Sequence, residues 1–296
     1  MGNAKPAAAA PPVPPKSASK AKKPTLVKYY LIAFNIVSAL GWTYILVLTL
    51  IHLFNLDGSA PGTAGTSTKT ASSTLTRFLS SLPFFKSTGI ISNASIEDRI
   101  PLLLRPLYRR STSTYARVGT PTAIVQSLAA LEVVHVLLGL VRSPLQTTAA
   151  QVASRLFLVW GIVEQFEGVR SNPIYTSMIL SWSLTEVIRY SFYAATLLGY
   201  EPYPLLYLRY TTFYLLYPTG AGSEASLIYA TLPNSSPLPG WQSWLFGMWK
   251  PTDYVRALLF LIWWPGLYIM YTYMIAQRRK VLGNGARTLG KGPKAN

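Results

Sequence analysis

The 296-residue sequence contains no cysteine, which excludes disulfide bonds, thiolate metal sites and a cysteine nucleophile. Only two histidines are present, His52 and His135, and they do not form a metal-ligand cluster. Because His135 follows Glu132 by three residues, the two side chains can share one face of a helix. We therefore predict a buried structural pair at these two positions.

Charged residues are scarce as well. They make up 12% of the chain, whereas 50% of the residues are hydrophobic. A soluble domain carries about twice that share of charge, so the composition is typical of an integral membrane protein. The lipid bilayer is accordingly an expected partner.

Negative charge is rarer than positive charge, with 10 acidic residues against 27 lysines and arginines. The basic residues concentrate at the two ends and in one long loop, a flanking pattern that indicates membrane topology. No zinc-ligand spacing or aromatic-basic recognition motif accompanies them. A nucleic-acid partner is therefore not expected.

Six long apolar stretches predict six transmembrane helices in one compact bundle. They cover residues 29–54, 121–141, 149–166, 174–198, 205–232 and 254–276. The fold class is thus an all-α integral membrane protein with a single domain over residues 26–280. Pro218 and Pro265 are expected to bend their helices without ending them, because apolar sequence resumes after each.

The remaining segments are polar or irregular. Residues 1–25, rich in Ala, Pro and Lys, are expected to be a disordered basic tail, and residues 281–296 a basic cytoplasmic tail. Residues 55–118 are expected to form a long loop, and we assign it no catalytic role. Its first part is dominated by Ser, Thr and Gly, without helical periodicity.

The fifth apolar stretch contains the strongest candidate for a functional site. Tyr210, Tyr217 and Glu224 are spaced by seven residues, so they fall on one stripe if the helix is continuous. Pro218 and Gly220 are expected to distort the turn between the last two. A carboxylate at membrane depth costs several kcal/mol unless it faces a partner or a wet cavity. Glu224 is therefore either a functional group or a structural group bonded to a neighbouring helix.

Other ionisable residues recur within the apolar stretches. Glu186, Arg189 and Tyr190 occupy one helix face, and we predict that Glu186 and Arg189 form an internal structural pair that holds the Tyr217/Glu224 pair in place. The many aromatic residues, Trp182 among them, are interpreted as packing groups or interface anchors. A proton-coupled transporter could carry a similar set of charges, but the sequence shows no convincing internal repeat.

Several motifs resemble those of the very-long-chain (3R)-3-hydroxyacyl-CoA dehydratases, also called the protein tyrosine phosphatase-like A family. The matching blocks, in chain order, are Asn35-Ile-Val-Ser38-Ala39-Leu-Gly41-Trp42, Val141-Arg142-Ser143-Pro144-Leu145 with Gln151-Val152 and Ser154-Arg155, Trp182-Ser183-Leu184-Thr185-Glu186 with Ile188-Arg189-Tyr190, and Arg209-Tyr210 followed by Leu216-Tyr217-Pro218-Thr219-Gly220 and Glu224. They cover nearly all of the chain except the N-terminal tail and residues 55–118. Together they are highly specific.

The resemblance implies dehydration of a (3R)-3-hydroxyacyl-CoA to the trans-2-enoyl-CoA in the fatty-acid elongation cycle, without a metal or redox cofactor. Tyr217 and Glu224 are the expected catalytic pair. A carboxylate in a poorly solvated cavity is a stronger base, and a phenol with a reference pKa of about 10 stays protonated. Glu224 is thus the expected base and Tyr217 the acid, although the reverse is possible. The expected substrate-binding or supporting residues are Arg142, Arg155, Glu186, Arg189, Tyr190, Arg209 and Tyr210.

The resemblance further implies where the substrate binds, in which membrane the protein lies and which proteins it acts with. The acyl chain would lie in an apolar tunnel between the helices, with the CoA group at the cytoplasmic face near Arg142. We expect a multi-pass protein of the endoplasmic reticulum membrane whose partners are other elongation-cycle enzymes, namely the condensing enzyme, the ketoreductase and the enoyl reductase. The alternative is a non-catalytic membrane scaffold that binds the elongase enzymes.

We predict that both termini face the cytoplasm, because lysines and arginines cluster beside the first and last apolar stretches. The sequons at Asn93 and Asn234 then fall on the lumenal side. Protease treatment of sealed microsomes should remove tags from both ends of the protein. Protection of either tag would contradict a topology with six spans.

Overall fold

The computed structural model describes residues 25–58, 100–233 and 249–289, with side chains up to residue 282. The sequons at Asn93 and Asn234 and nearly all of the N-terminal tail lie outside these residues. All regular structure in the described ranges is helical, which confirms the predicted all-α class.

Ten α-helices succeed one another in these ranges. They are α1 (Thr25–Phe54), α2 (Arg105–Ser111), α3 (Thr114–Leu128), α4 (Ala130–Leu137), α5 (Leu145–Leu156), α6 (Glu167–Arg170), α7 (Pro173–Leu198), α8 (Tyr203–Arg209), α9 (Phe213–Ala230) and α10 (Pro251–Leu289). A 3₁₀ turn, Leu102–Leu104, precedes α2, and a π-helical segment, Phe157–Val163, continues α5.

The helices form six consecutive passes, because α3 runs on into α4, α5 into the π-helix, and α8 into α9. Three helical segments are long and apolar enough to cross a membrane: Thr25–Phe54, Thr114–Leu137 and Pro251–Leu282. The other passes are shorter, or carry the serines, threonines and ionisable residues that face the interior. The structure thus confirms three candidate spans, and six spans remain a prediction.

Several boundaries differ from those expected from the sequence. Helix α3 begins at Thr114, and it includes Pro121 and the last part of the predicted loop 55–118. The apolar pattern begins only near residue 121, but Thr114 and Val118 are buried by packing against other helices. Helix α10 continues to Leu289, into the predicted C-terminal tail.

The fifth pass is interrupted at Tyr210, between α8 and α9. Helix α8 ends at Arg209, and α9 begins at Phe213. Thr211 and Thr212, two β-branched residues with low helix propensity, follow Tyr210 in this interruption. The shared stripe of Tyr210, Tyr217 and Glu224 was predicted for a continuous helix, and this condition is not met. Pro218 and Pro265 both lie inside helices, so neither ends its helix, as predicted.

Helix α7 is the central element of the bundle. The Asn172 side chain accepts a hydrogen bond from the Ile174 backbone N–H at 3.0 Å and caps its start, and Pro173 supplies the first helical residue. At the other end, Gly199 adopts φ 91° in the left-handed region and stops the helix. Helix α7 packs most extensively against α1 and then against α9.

Neighbouring passes run antiparallel. The contacting side-chain pairs show this orientation: as the residue number increases along one helix, the number of the contacting residue decreases along the other. Such pairs are Phe34–Tyr190 with Trp42–Trp182, Ser177–Ser223 with Ser181–Thr219, and Phe213–Tyr271 with Tyr229–Phe260. The start of α1 and the ends of α4, α7 and α10 therefore lie together, and we call this the terminal end of the bundle.

Small residues allow α7 and α9 to approach closely. The Ser223 hydroxyl donates to the Ser177 hydroxyl at 3.0 Å, and the Ser181 and Thr219 hydroxyls lie 3.0 Å apart. A Cβ atom added at Gly220 would lie 3.4 Å from Cβ of Ser181, at the lower limit of ordinary van der Waals contact, so a side chain larger than alanine would press against α7 at this point. This contact sets the position of the middle of α9 against α7.

A bulky residue at this contact should destabilise the protein. We expect Gly220→Leu to lower the free energy of unfolding by about 1–3 kcal/mol, because the side chain would push α9 away from α7. Gly222→Leu is the matched control, since no neighbouring atom lies within 4 Å of a Cβ added there. Thermal unfolding in detergent, followed by circular dichroism, measures both. Equal melting temperatures for the two variants would contradict the proposed packing.

Candidate functional site

A cavity of about 220 Å³ lies between α5, α7 and α9, and residues of α3 and α4 complete its wall. We call it the inner cavity. Tyr217 and Glu224, the two residues singled out on α9, both line it. Arg155 of α5 and the Glu186–Arg189 pair of α7 line it as well. The structure thus brings five of the nine sequence-predicted site residues to one cavity.

Glu224 is held by two tryptophans from different helices. The indole N–H of Trp182 on α7 donates to Oε1 at 2.7 Å, and that of Trp263 on α10 donates to Oε2 at 2.9 Å. An indole N–H can only donate, so both bonds suit an ionised carboxylate. Trp182 also packs edge-on against Trp42 of α1, with ring centres 6.4 Å apart. Its predicted packing role is present, but its hydrogen bond to Glu224 was not foreseen.

Tyr217 lies two helical turns before Glu224 on the same helix. Seven residues correspond to about 10.5 Å along the helix axis. In the described part of the chain, the Tyr217 hydroxyl makes no hydrogen bond, and the residue is only half-buried. The phenol is therefore available to a molecule in the cavity, whereas both oxygens of Glu224 already accept one bond each.

Beside this pair, two arginines and two glutamates form a chain of ion pairs. Glu186, which is 3% exposed, accepts from Nη1 of Arg155 and, at 2.6 Å, from Nε of Arg189. Arg189 also donates from Nη1 and Nη2 to the carboxylate of Glu132, at 2.9 and 2.8 Å. The predicted Glu186–Arg189 pair is confirmed. The four side chains together have no net charge, and this pairing offsets much of the free energy that burying each charged group costs.

Glu132 is the site residue that sequence reasoning misassigned. It lies on α4, and besides both terminal nitrogens of Arg189 it accepts a hydrogen bond from the Tyr190 hydroxyl. His135, its predicted partner, is instead hydrogen-bonded to the Tyr30 hydroxyl at 2.8 Å and packs on Phe34. The occurrence of an acidic residue in an apolar stretch was the signal that could have identified it.

A larger cavity of about 680 Å³ lies at the terminal end, and we call it the outer cavity. Four residues line both cavities: Glu132, Thr148, Gln151 and Arg189. The turn between α4 and α5 contributes Ser143 to the outer wall. The volume falls within the range of about 300–1,000 Å³ that is usual for small-molecule sites. The two cavities are therefore adjacent and share one wall.

The other predicted site residues lie away from the inner cavity. Tyr190 lines the outer cavity, and Arg142 is exposed in the turn beside Ser143. Arg209 lines neither cavity; its Nη2 donates at 2.9 Å to the hydroxyl of Tyr193, which does line the outer one. Tyr210 also lies outside both cavities, with its ring centre 5.8 Å from the guanidinium of Arg209. Arg209 and Tyr210 can therefore affect the inner cavity only through intervening residues.

Comparison with known proteins adds an independent line of evidence. Residues 126–284 match the model of the family described as "Protein tyrosine phosphatase-like protein, PTPLA". The matched residues include Glu132, Arg155, Tyr217 and Glu224, together with all of α7. No solved structure matches the chain significantly.

Three similar proteins carry the name very-long-chain (3R)-3-hydroxyacyl-CoA dehydratase. PASTICCINO 2 of Arabidopsis thaliana is 42% identical over 183 residues, 59% of this chain and 81% of that protein. The hpo-8 protein of Caenorhabditis elegans is 34% identical over 269 residues, 88% of this chain and 98% of that protein. Dehydratase 2 of Homo sapiens is 36% identical over 180 residues, 58% and 69% respectively. With a family model that matches more than half of its length and a relative that aligns over most of it, the chain belongs to the protein tyrosine phosphatase-like protein family, PTPLA.

Proposed function

We propose that the protein is a hydro-lyase that dehydrates (3R)-3-hydroxyacyl-CoA to trans-2-enoyl-CoA in the elongation of very-long-chain fatty acids. Family membership and the names of the three relatives support this substrate class. The observation that carries the proposal is the inner cavity, where one helix presents a doubly hydrogen-bonded carboxylate and a phenol that has no hydrogen-bond partner among the residues the structure describes.

The elimination needs one group to accept a proton and one to donate a proton. A base takes the proton from C2, and its bonding electrons end in the new double bond between C2 and C3. The bond from C3 to the hydroxyl oxygen breaks, and an acid protonates that oxygen so that it leaves as water. One carboxylate and one phenol are sufficient for this reaction, and they return to their starting protonation states by proton exchange with water.

Glu224 is the base in this proposal, and Tyr217 is the acid. Each carboxylate oxygen of Glu224 accepts one indole N–H and keeps a further lone pair for the C2 proton. The indole groups also fix the carboxylate in one orientation, which favours proton transfer from a bound substrate. Tyr217, whose hydroxyl is not engaged by described residues, donates its proton to the leaving hydroxyl group.

The outer cavity is proposed to receive the CoA side of the substrate. It lies at the terminal end and borders the turn that carries Arg142, a cation suited to the phosphates of CoA. Hydroxyl and amide groups on its wall, such as those of Thr147 and Gln151, can hydrogen-bond the amides of the pantetheine arm. The thioester would then lie near the wall that both cavities share.

The acyl chain is proposed to extend from the inner cavity between α5 and α9. Both helices line the cavity, and the π-helical continuation of α5 packs against α9. An opening on this side would face the hydrocarbon core of a bilayer, where a long acyl chain is well solvated. Leu215, which is 68% exposed, lies on this part of α9.

The proposed setting is the endoplasmic reticulum membrane, with six spans and both termini in the cytoplasm. The antiparallel arrangement of the six passes supports this topology, because it brings the start of α1 and the end of α10 to one end of the bundle. The condensing enzyme, the ketoreductase and the enoyl reductase of the elongation cycle are the proposed protein partners.

Removing either reacting group should abolish most of the activity without unfolding the protein. We expect Tyr217→Phe and Glu224→Gln each to lower turnover by about 10²- to 10⁴-fold, because each change removes one proton-transfer group at nearly constant volume. The double variant should be little slower than the poorer single variant, because both groups are needed to complete the same elimination. Enoyl-CoA formation by purified protein, per folded molecule, is the measurement.

Matched controls separate chemistry from folding. Tyr214→Phe removes a hydroxyl from a tyrosine of the same helix that lines neither cavity, and Glu201→Gln neutralises an exposed carboxylate. Both should keep the wild-type rate. Well-folded Tyr217→Phe and Glu224→Gln proteins that also keep it would exclude this pair as the active site. Such a result would leave the non-catalytic scaffold as the better hypothesis.

A further inference from the structure

Arg155 and Arg189 differ in how many of their hydrogen-bond donors are used. Nε, Nη1 and Nη2 of Arg189 all donate to the carboxylates of Glu186 and Glu132. By contrast, Arg155 donates from Nη1 to Glu186, and its other N–H groups have no partner among the described residues. A guanidinium has five N–H donors, so Arg155 keeps several for a ligand in the inner cavity that it lines.

The position of Arg155 is fixed beside the proposed base. Its guanidinium carbon lies 4.9 Å from the ring centre of Trp182, the residue whose indole N–H donates to Glu224. The bond to Glu186 holds the same guanidinium from a second direction. The indole of Trp182 thus contacts both groups: its N–H binds the carboxylate of Glu224, and the guanidinium of Arg155 lies over its ring. These two contacts orient the carboxylate and the guanidinium before a substrate binds.

Removal of a C2 proton creates a charge that needs such a donor. As the base takes the proton, the electron pair of the C2–H bond forms a C1–C2 double bond, and the thioester carbonyl oxygen becomes an oxyanion. Catalytic sites place hydrogen-bond donors where such charge develops. Both indole N–H groups are bonded to Glu224, and Arg189 uses three of its five N–H donors on two carboxylates, whereas Arg155 uses one, so Arg155 is the cation in the described cavity wall with the most donors left for a ligand.

We propose that Arg155 is a catalytic residue that binds the thioester carbonyl oxygen and stabilises the enolate oxyanion. This role rests on the proposed function of the inner cavity. The electron pair then returns from the oxygen, C2 and C3 become doubly bonded, and the C3–O bond breaks as Tyr217 protonates the departing hydroxyl group. Arg155 is not consumed and transfers no proton, so its contribution is electrostatic.

The first test compares variants that change the guanidinium and its partner. In Arg155→Gln/Glu186→Gln, one positive and one negative charge are removed together, so that no carboxylate is left without its partner. We expect kcat to fall by about 10²- to 10³-fold with a much smaller change in KM, as for the loss of an oxyanion donor. Glu186→Gln alone keeps the guanidinium and should be at least tenfold faster than the double variant. Arg117→Lys, in an ion pair with Asp57 outside both cavities, should match the wild type.

The second test isolates the enolate. A saturated acyl-CoA has no 3-hydroxyl group to lose, so deuterium uptake at C2 from D₂O reports proton removal without the acid step. We expect uptake with the wild type and with Tyr217→Phe, and loss of uptake with Glu224→Gln and with Arg155→Gln/Glu186→Gln. Mass spectrometry of the recovered acyl-CoA measures it. Should the double variant fail to fold, Arg155→Lys, which keeps the charge but loses the planar fork, should show a smaller loss of both kcat and uptake.

The outcomes distinguish the two proposals. Normal kcat and normal uptake in folded Arg155 variants, with slow Tyr217→Phe and Glu224→Gln, would overturn the role of Arg155 alone. Full dehydration by Tyr217→Phe and Glu224→Gln would overturn the proposed function. A wild-type enzyme that dehydrates its substrate but catalyses no uptake would contradict an enolate, and with it the need for an oxyanion donor.

Discussion

A chain of ion pairs with no net charge is the interaction on which the interior of this bundle depends. Arg189 bonds the carboxylates of Glu186 and Glu132, and Glu186 also bonds Arg155. Loss of one member would leave a buried charge without its partner, which costs several kcal/mol. Because the four side chains come from α4, α5 and α7, these ion pairs connect three passes around the inner cavity and restrict the distances between them.

The proposed base, Glu224, and the proposed acid, Tyr217, do not belong to this group of ion pairs. Glu224 has no arginine among its hydrogen-bond partners in the described structure; it is bonded to two neutral indoles. A salt bridge would make the carboxylate a poorer base, whereas indole N–H groups orient it without neutralising its charge. The arginines thus belong to the group of ion pairs, and the proposed proton-transfer groups lie on α9.

Sequence reasoning identified the proposed reacting pair but not its surroundings. Glu224 was noticeable because a carboxylate is unusual in an apolar helix, and the family resemblance implied the catalytic role of Tyr217 and Glu224. The roles of Trp263 and Glu132 were not, since a tryptophan in an apolar stretch is most often a packing group. Tyr210 was misplaced for a local reason. The seven-residue spacing assumed one continuous helix, and the interruption between Arg209 and Phe213 removes Tyr210 from that stripe.

The sequence by itself determined the helical class, the approximate limits of the six passes and the local pair of Glu186 with Arg189, because each depends on spacing along one chain segment. Only the tertiary structure decided which passes face each other. It brought Trp182 and Trp263 to Glu224, Arg189 to Glu132, and Arg155 over Trp182. The contact of Trp182 with Glu224 depends on how closely the small residues between α7 and α9 let these two helices approach, and the others depend on the packing of further helix pairs. Such packing is a property of surfaces from separate segments, which the periodicity of a single helix does not show.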